Sequence, residues 1–208
     1  NSFAGVTNKL LAKRAKAICV AYEGMEVFFQ KEKIQLTGNP VRKDFVNLPY
    51  AQSEALSKLN FDSTKKTILI IGGSLGARAV NNAVEASLNS WLNQGFQVVW
   101  QCGKIYKTNL ELKYPNTDGM LLFDFIQDMA LVYAAADVII SRAGAMSVSE
   151  LSLVGKPVVF MPSPNVAEDH QTKNAMALVS KQAALMVRDN EAELKLAEMI
   201  SELLHNSN

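Results

Sequence analysis

Thr67-Ile68-Leu69-Ile70-Ile71-Gly72-Gly73-Ser74-Leu75-Gly76-Ala77 decides the fold. A short β-branched run breaks at two glycines, and residues 77–92 then read as a helix. That is a strand feeding a helix through a glycine-rich turn. Glycine lets the backbone come close to a phosphate, and the helix N-terminus offers free N–H groups and the positive end of its dipole. Ser74 can add a hydroxyl donor. A tight turn with no ligand is the plain alternative. The loop lacks the Lys-Ser/Thr ending of a Walker loop and the Gly-x-Gly-x-x-Gly order of a dinucleotide fingerprint. The following strand ends Trp100-Gln101-Cys102, with no carboxylate to hold an adenosine ribose. Both absences argue against ATP and NAD.

Outward from this turn, strands and helices alternate. Further strands are expected at 97–101, 120–123, 137–140, 157–161 and 184–187. Helices are expected from Lys104, at 126–136, 145–154, 169–181 and 191–204. Six strands joined by helical crossovers give an α/β, Rossmann-like parallel sheet with helices on both faces. Residues 42–208 are assigned to it.

Residues 1–41 read as a different block. A basic helix at 7–17 carries Lys9, Lys13, Arg14 and Lys16, and short strands are expected at 18–21 and 34–36. The block is too small to bury a core of its own. It is expected to be the end of a preceding domain, with Gly38-Asn39-Pro40 as the hinge.

Bulk properties narrow the partners. A net charge of +1 over 208 residues gives no electrostatic grip on nucleic acid. The two cysteines, Cys19 and Cys102, have neither zinc spacing nor a disulfide framework. No apolar run approaches the ~18 residues of a membrane span. Only two histidines exist, and no metal site is expected.

Two further junctions carry polar groups suited to a nucleotide sugar. Ser141-Arg142-Ala143-Gly144-Ala145-Met146-Ser147-Val148-Ser149-Glu150 follows the apolar strand Val138-Ile139-Ile140. It therefore lies at the carboxyl edge of the sheet, where open α/β sheets bind ligands. Ser147 and Glu150 share a helix face, and a glutamate there can accept both hydroxyls of a ribose. The competing reading is a capping box, with Ser147 as N-cap and Glu150 three residues on. The third segment, Glu168-Asp169-His170-Gln171-Thr172-Lys173-Asn174-Ala175, follows a proline-rich loop. Gln171 and Asn174 are spaced to face one way, and amides suit sugar hydroxyls because they both donate and accept.

Taken in order, these segments resemble the MurG family, the UDP-N-acetylglucosamine transferases acting on undecaprenyl-pyrophosphoryl-N-acetylmuramyl-pentapeptide. The resemblance spans nearly the whole chain. It includes Asn1 to Lys9, Gly38-Asn39-Pro40-Val41-Arg42, the glycine loop, Phe125-Ile126-Gln127-Asp128-Met129, Arg142 to Glu150, and Gln171 to Ala175. It implies the donor-binding half of a GT-B glycosyltransferase plus the end of its acceptor half. By this resemblance Asn1 and Arg42 lie in the cleft, and Gly73, Ser74, Leu75 and Gly76 meet the diphosphate. Ile126 contacts uracil through its backbone, with Met129 nearby. Arg142, Gly144, Ala145, Met146 and Ser147 line the phosphates and sugar, and Glu150 takes the ribose hydroxyls. His170, Gln171 and Asn174 read the sugar. The implied reaction is metal-independent and inverting: the C4 hydroxyl of the lipid-linked N-acetylmuramyl-pentapeptide attacks and UDP leaves, converting lipid I to lipid II in peptidoglycan synthesis. The base and acceptor loop are expected outside this chain, which alone is expected to be inactive. No cofactor is implied. The implied location is the cytoplasmic face of the bacterial inner membrane, as a peripheral protein. The rival readings are a non-catalytic UDP-sugar-binding subunit of a split transferase, a UDP-sugar epimerase of the same fold, and a nicotinamide-dependent oxidoreductase, which the loop order disfavours.

Overall fold

The structure, a computed structural model, describes residues 4–73, 75–166 and 169–205. The first block holds helix α1 (Val6–Ala12) and a parallel pair of short strands, β1 (Ile18–Val20) and β2 (Ile34–Leu36). Its small core is Ala4, Val20 and Met25. The basic helix is shorter than its expected span of 7–17. Lys33 Nζ donates to the Ala12 and Lys13 carbonyls at 3.4 and 3.2 Å, closing the helix end. Arg14 and Lys16 lie beyond it.

Next come a short helix α2 (Gln52–Lys58) and a run of alternating elements: β3 (Thr67–Ile71), α3 (Arg78–Asn93), β4 (Gln97–Gln101), α4 (Lys104–Lys113), β5 (Met120–Phe123), α5 (Met129–Ala135), β6 (Val138–Ser141), α6 (Ala145–Val154), β7 (Val158–Phe160), α7 (His170–Val179), β8 (Leu185–Met186) and α8 (Asp189–His205). The six strands from β3 onward are parallel, in the order β5-β4-β3-β6-β7-β8. This is the 3-2-1-4-5-6 order of a doubly wound sheet, whose reversal point lies between its first and fourth strands. Here those strands are β3 and β6. α5 starts at Met129 instead of Ile126 because Asp128 caps it, accepting the Leu131 N–H at 3.0 Å.

Side chains alternate across the sheet with a period of two. Ile68, Ile70, Val98, Trp100, Val138 and Ile140 face the layer containing α3 and α8. Leu69, Val99, Ile139 and Phe160 face the layer containing α2, α5 and α6, into which Phe45 also packs. The α3–α8 seam is closed by buried Leu88, Trp91, Leu196 and Ile200, and Trp91 Nε1 donates to the Ala197 carbonyl at 3.3 Å. The first block is fastened to the second at Asn39, whose Nδ2 donates to the Ala145 carbonyl at 3.2 Å and to Ser149 Oγ at 2.8 Å. The expected hinge is thus pinned to α6. Among the described residues no helix is long and apolar enough to cross a membrane.

Candidate functional site

Strand register sets the site. Ile71 pairs with Gln101 on one side and with Ser141 on the other, and Ser141 pairs with Phe160. The carboxyl ends of four adjacent strands are therefore level. The loops leaving them, at 72–77, 102–103, 142–144 and 161–165, stand side by side around the reversal point.

Two helices point their N-termini into this edge. α3 has Ala77 as N-cap and α6 has Gly144, and neither N-cap supplies a side-chain hydrogen bond. The N–H groups of a helix's first turn have no intrahelical acceptors, so both ends offer donors and positive potential. Gly144 as N-cap also overturns the capping-box reading. Ser147 is the third helical residue and Glu150 the sixth, so neither is placed to cap. Ala145, Met146 and Ser147 form the first turn. Gly73 and Gly76 have φ of +81° and +74°, and a Gly76 N–H to Gly73 carbonyl bond of 3.0 Å closes the loop over Leu75, which is exposed. Ser74 and Asn1 lie outside the described residues, as does Glu168.

Glu150 projects from α6 half-buried, and no hydrogen bond or ion pair engages its carboxylate among the described residues. Burial pushes its pKa above the ordinary carboxylate range, and the nearby Arg42 guanidinium opposes that shift. Arg42 is held over the ring of Phe45, 4.3 Å from its centroid. Phe45 in turn meets buried Tyr133 edge-on at 5.2 Å. Burial raises the Tyr133 phenol pKa, with Glu150 adding to the rise. An aromatic shelf thus brings Arg42 close to Glu150, 108 residues away in the chain.

The remaining candidates divide. Ile126 buries its side chain in the core, which leaves its backbone as the part that can meet a ligand. Met129 opens α5 and packs against the same core. His170 begins α7 and is partly exposed. Gln171 accepts the Ser163 N–H at 2.9 Å, which ties α7 to the loop after β7. Two residues expected among the ligand contacts are engaged by the framework beneath. Arg142 forms a two-pronged ion pair with Asp189 (Nη2 to Oδ2 is 3.0 Å) and donates to the Met161 carbonyl at 2.8 Å. Asn174 has no exposed surface and donates to the Ala143 carbonyl at 3.1 Å. Both hold the 142–144 loop in place. Sequence reasoning missed Asp189, Phe45 and Tyr133, whose partners are distant in the chain. It also missed the pinning role of Asn39, although its place in a Gly-Asn-Pro turn marks a residue with a fixed geometry.

The sequence profile of the glycosyltransferase family 28 C-terminal domain matches residues 67–208. The chain belongs to this family. It is similar to the UDP-N-acetylglucosamine--N-acetylmuramyl-(pentapeptide) pyrophosphoryl-undecaprenol N-acetylglucosamine transferase of Flavobacterium psychrophilum, with 50% identity over 99% of this chain and 56% of the relative. The enzyme of the same name from Bacteroides thetaiotaomicron is 55% identical over 96% of this chain and 55% of its own length. Among solved structures, Acinetobacter baumannii MurG superposes with a TM-score of 0.71 at 30% identity, covering 98% of this chain and 56% of that one. The chain spans just over half the length of the curated relatives it matches.

Proposed function

We propose that this chain binds UDP-N-acetylglucosamine and is the donor half of an inverting N-acetylglucosaminyltransferase. The observation that carries the reading is the pair of helix N-termini without side-chain caps, α3 and α6, at the reversal point of the sheet, with a half-buried glutamate on α6 whose carboxylate makes no hydrogen bond among the described residues. Departure of UDP places negative charge on its terminal phosphate. Fixed N–H groups and helix dipoles aimed at that charge stabilise it without reorganising, and need no metal. Glu150, two turns into α6, accepts the ribose hydroxyls. The Ile126 backbone meets the base beside Met129. Ser147, His170 and Gln171 face the sugar, while Arg142 and Asn174 brace the loop that α6 springs from. Asn1 and Ser74 join the cleft by their place in the resemblance.

The names of the related enzymes indicate the acceptor, a pyrophosphoryl-undecaprenol-linked N-acetylmuramyl-pentapeptide. Its C4 hydroxyl attacks the anomeric carbon from the face opposite UDP. The acceptor's pyrophosphate and the base that deprotonates that hydroxyl are assigned to an N-terminal acceptor domain, with residues 1–41 as its end and hinge. The assembled enzyme would work as a peripheral protein on the cytoplasmic face of the inner membrane. Helix α1, which buries none of its residues and exposes Leu10 and Leu11 beside Lys9, suits that surface.

The test is a titration of the chain with UDP, UDP-N-acetylglucosamine and NAD, followed by a transfer assay with a lipid-linked acceptor, with and without the acceptor domain supplied in trans. The expected result is binding of both uridine nucleotides, no binding of NAD, and transfer only in the reconstituted mixture. Failure of UDP to bind at millimolar concentration defeats the donor reading. Robust transfer by the chain alone defeats the division of labour.

A further inference from the structure

Under the glycine loop lies a second loop that carries none of the residues assigned to the nucleotide. It leaves β4 as Gln101-Cys102-Gly103 and enters α4 at Lys104. The two loops are joined by three independent contacts. The Gly72 N–H donates to the Gln101 carbonyl at 3.1 Å. Asn81, buried on α3, donates Nδ2 to the Cys102 carbonyl and accepts the Trp100 indole N–H, each at 3.0 Å. That amide fixes the first turns of α3 over the end of β4. The third contact is steric. Gly103 backs directly onto Gly76, and a Cβ at position 103 would lie 2.2 Å from the Gly76 nitrogen and 2.6 Å from the Leu75 carbonyl carbon. A Cβ at position 76 would lie 2.1 Å from the Cys102 carbonyl oxygen and 2.8 Å from the Tyr106 ring. Gly103 also has φ +88° and ψ 150°, a region essentially closed to other residues.

We propose that Gly103 and Tyr106 are positioning residues for the diphosphate subsite: they form the floor on which Leu75 and Gly76 rest, and so set where the N–H groups there and at the start of α3 point. The inference rests on the donor reading of this edge. It goes further by separating the subsites. Gly103 and Tyr106 are set against the loop after β3, whereas on the donor reading base and ribose are held from the loop after β5 and from α6. Any side chain at 103 must displace the glycine loop by about 1 Å, enough to misalign its N–H groups, and hydrogen bonds weaken steeply with misalignment. Affinity for the diphosphate should fall and affinity for the nucleoside should not.

The experiment is an NMR titration of the chain and its variants with UDP and, separately, with uridine, the dispersed spectrum reporting the fold. The wild type is expected to prefer UDP strongly. Gly103→Ala is expected to lose about tenfold or more of its UDP affinity, at least one charged hydrogen bond, while binding uridine as the wild type does. Tyr106→Ala is expected to lower UDP affinity in the same selective way, and Tyr106→Phe, which keeps the ring, to restore it. Wild-type UDP affinity in Gly103→Ala overturns the inference. If Gly103→Ala does not fold, the Tyr106 pair decides: undiminished UDP affinity in Tyr106→Ala, or equal losses for UDP and uridine, overturns it. A wild type with no preference for UDP over uridine defeats the donor reading itself and the inference with it.

Discussion

Replacing Glu150 by alanine separates binding from folding. The carboxylate makes no hydrogen bond or ion pair among the described residues, so its removal strands no buried partner. Burial disfavours its charged form and Arg42 only partly compensates. Loss of the charge therefore leaves the unliganded protein as stable as before, or more so. The ligand loses two hydrogen bonds from the ribose hydroxyls to a charged acceptor. At about 1.5 kcal/mol each, the lower end of the range because the group is only half-buried, that is about 3 kcal/mol. Each 1.4 kcal/mol is tenfold, so UDP affinity should fall roughly a hundredfold. Calorimetric titration with UDP, paired with a thermal melt of the unliganded variant, reads both quantities on one sample. A variant that melts several degrees lower and binds UDP like the wild type would refute the reasoning, because it would assign Glu150 to the framework.

The same carboxylate predicts a pH effect. Its raised pKa means that UDP affinity is complete above that value and falls as the pH drops through it, before an ordinary glutamate at ~4.3 would respond. Calorimetry across this range should show the Glu150→Gln variant lacking that component. In the unliganded protein the sign is opposite: a raised folded pKa favours the folded state at low pH, and the contribution is lost as pH rises through the folded value. Breaking the Arg142–Asp189 pair with Arg142→Ala or Asp189→Asn should cost about 2–3 kcal/mol in urea unfolding, less than the ~3–5 of a fully buried pair, since both side chains keep some exposure. The double variant should cost less than the sum. Neutralising Lys9, Lys13, Arg14 and Lys16 in the intact protein should weaken sedimentation with anionic vesicles by about 1 kcal/mol per charge near the surface, and equal binding would remove the membrane role of this segment.

Much of the sheet can be read directly from the chain because its central strands are buried on both faces. Thr67–Ile71 and Gln97–Gln101 occur as unbroken runs ending at glycine or cysteine, with no competing helical pattern. Edge elements are less legible. β8 is two residues long and is held by pairing with β7. α2 went unread although Ala55, Leu56 and Leu59 form a helical stripe, since seven residues carry little propensity signal and the helix is stabilised by packing against α5. At the site, the donors at helix N-termini could be anticipated because they depend on local sequence. The roles of Arg142 and Asn174 could not, because polar side chains of that kind suit ligand and framework equally. Asp189, 47 residues from Arg142, ties it to the framework, and only the folded chain brings it near.

The seam between α3 and α8 also orders events during synthesis. α3 is the first helix to follow a strand of the main sheet and α8 the last, yet they share one apolar contact through Leu88, Trp91, Leu196 and Ile200. Trp91 has no finished surroundings until Ala197 leaves the ribosome, about a hundred residues later, which at ~5–20 residues per second is several seconds or more. For that interval a nascent chain that has already paired its central strands carries a bare tryptophan face. A stop codon a few residues ahead of Leu196 would leave every loop of the proposed nucleotide site encoded and yet yield a product destined for aggregation or proteolysis.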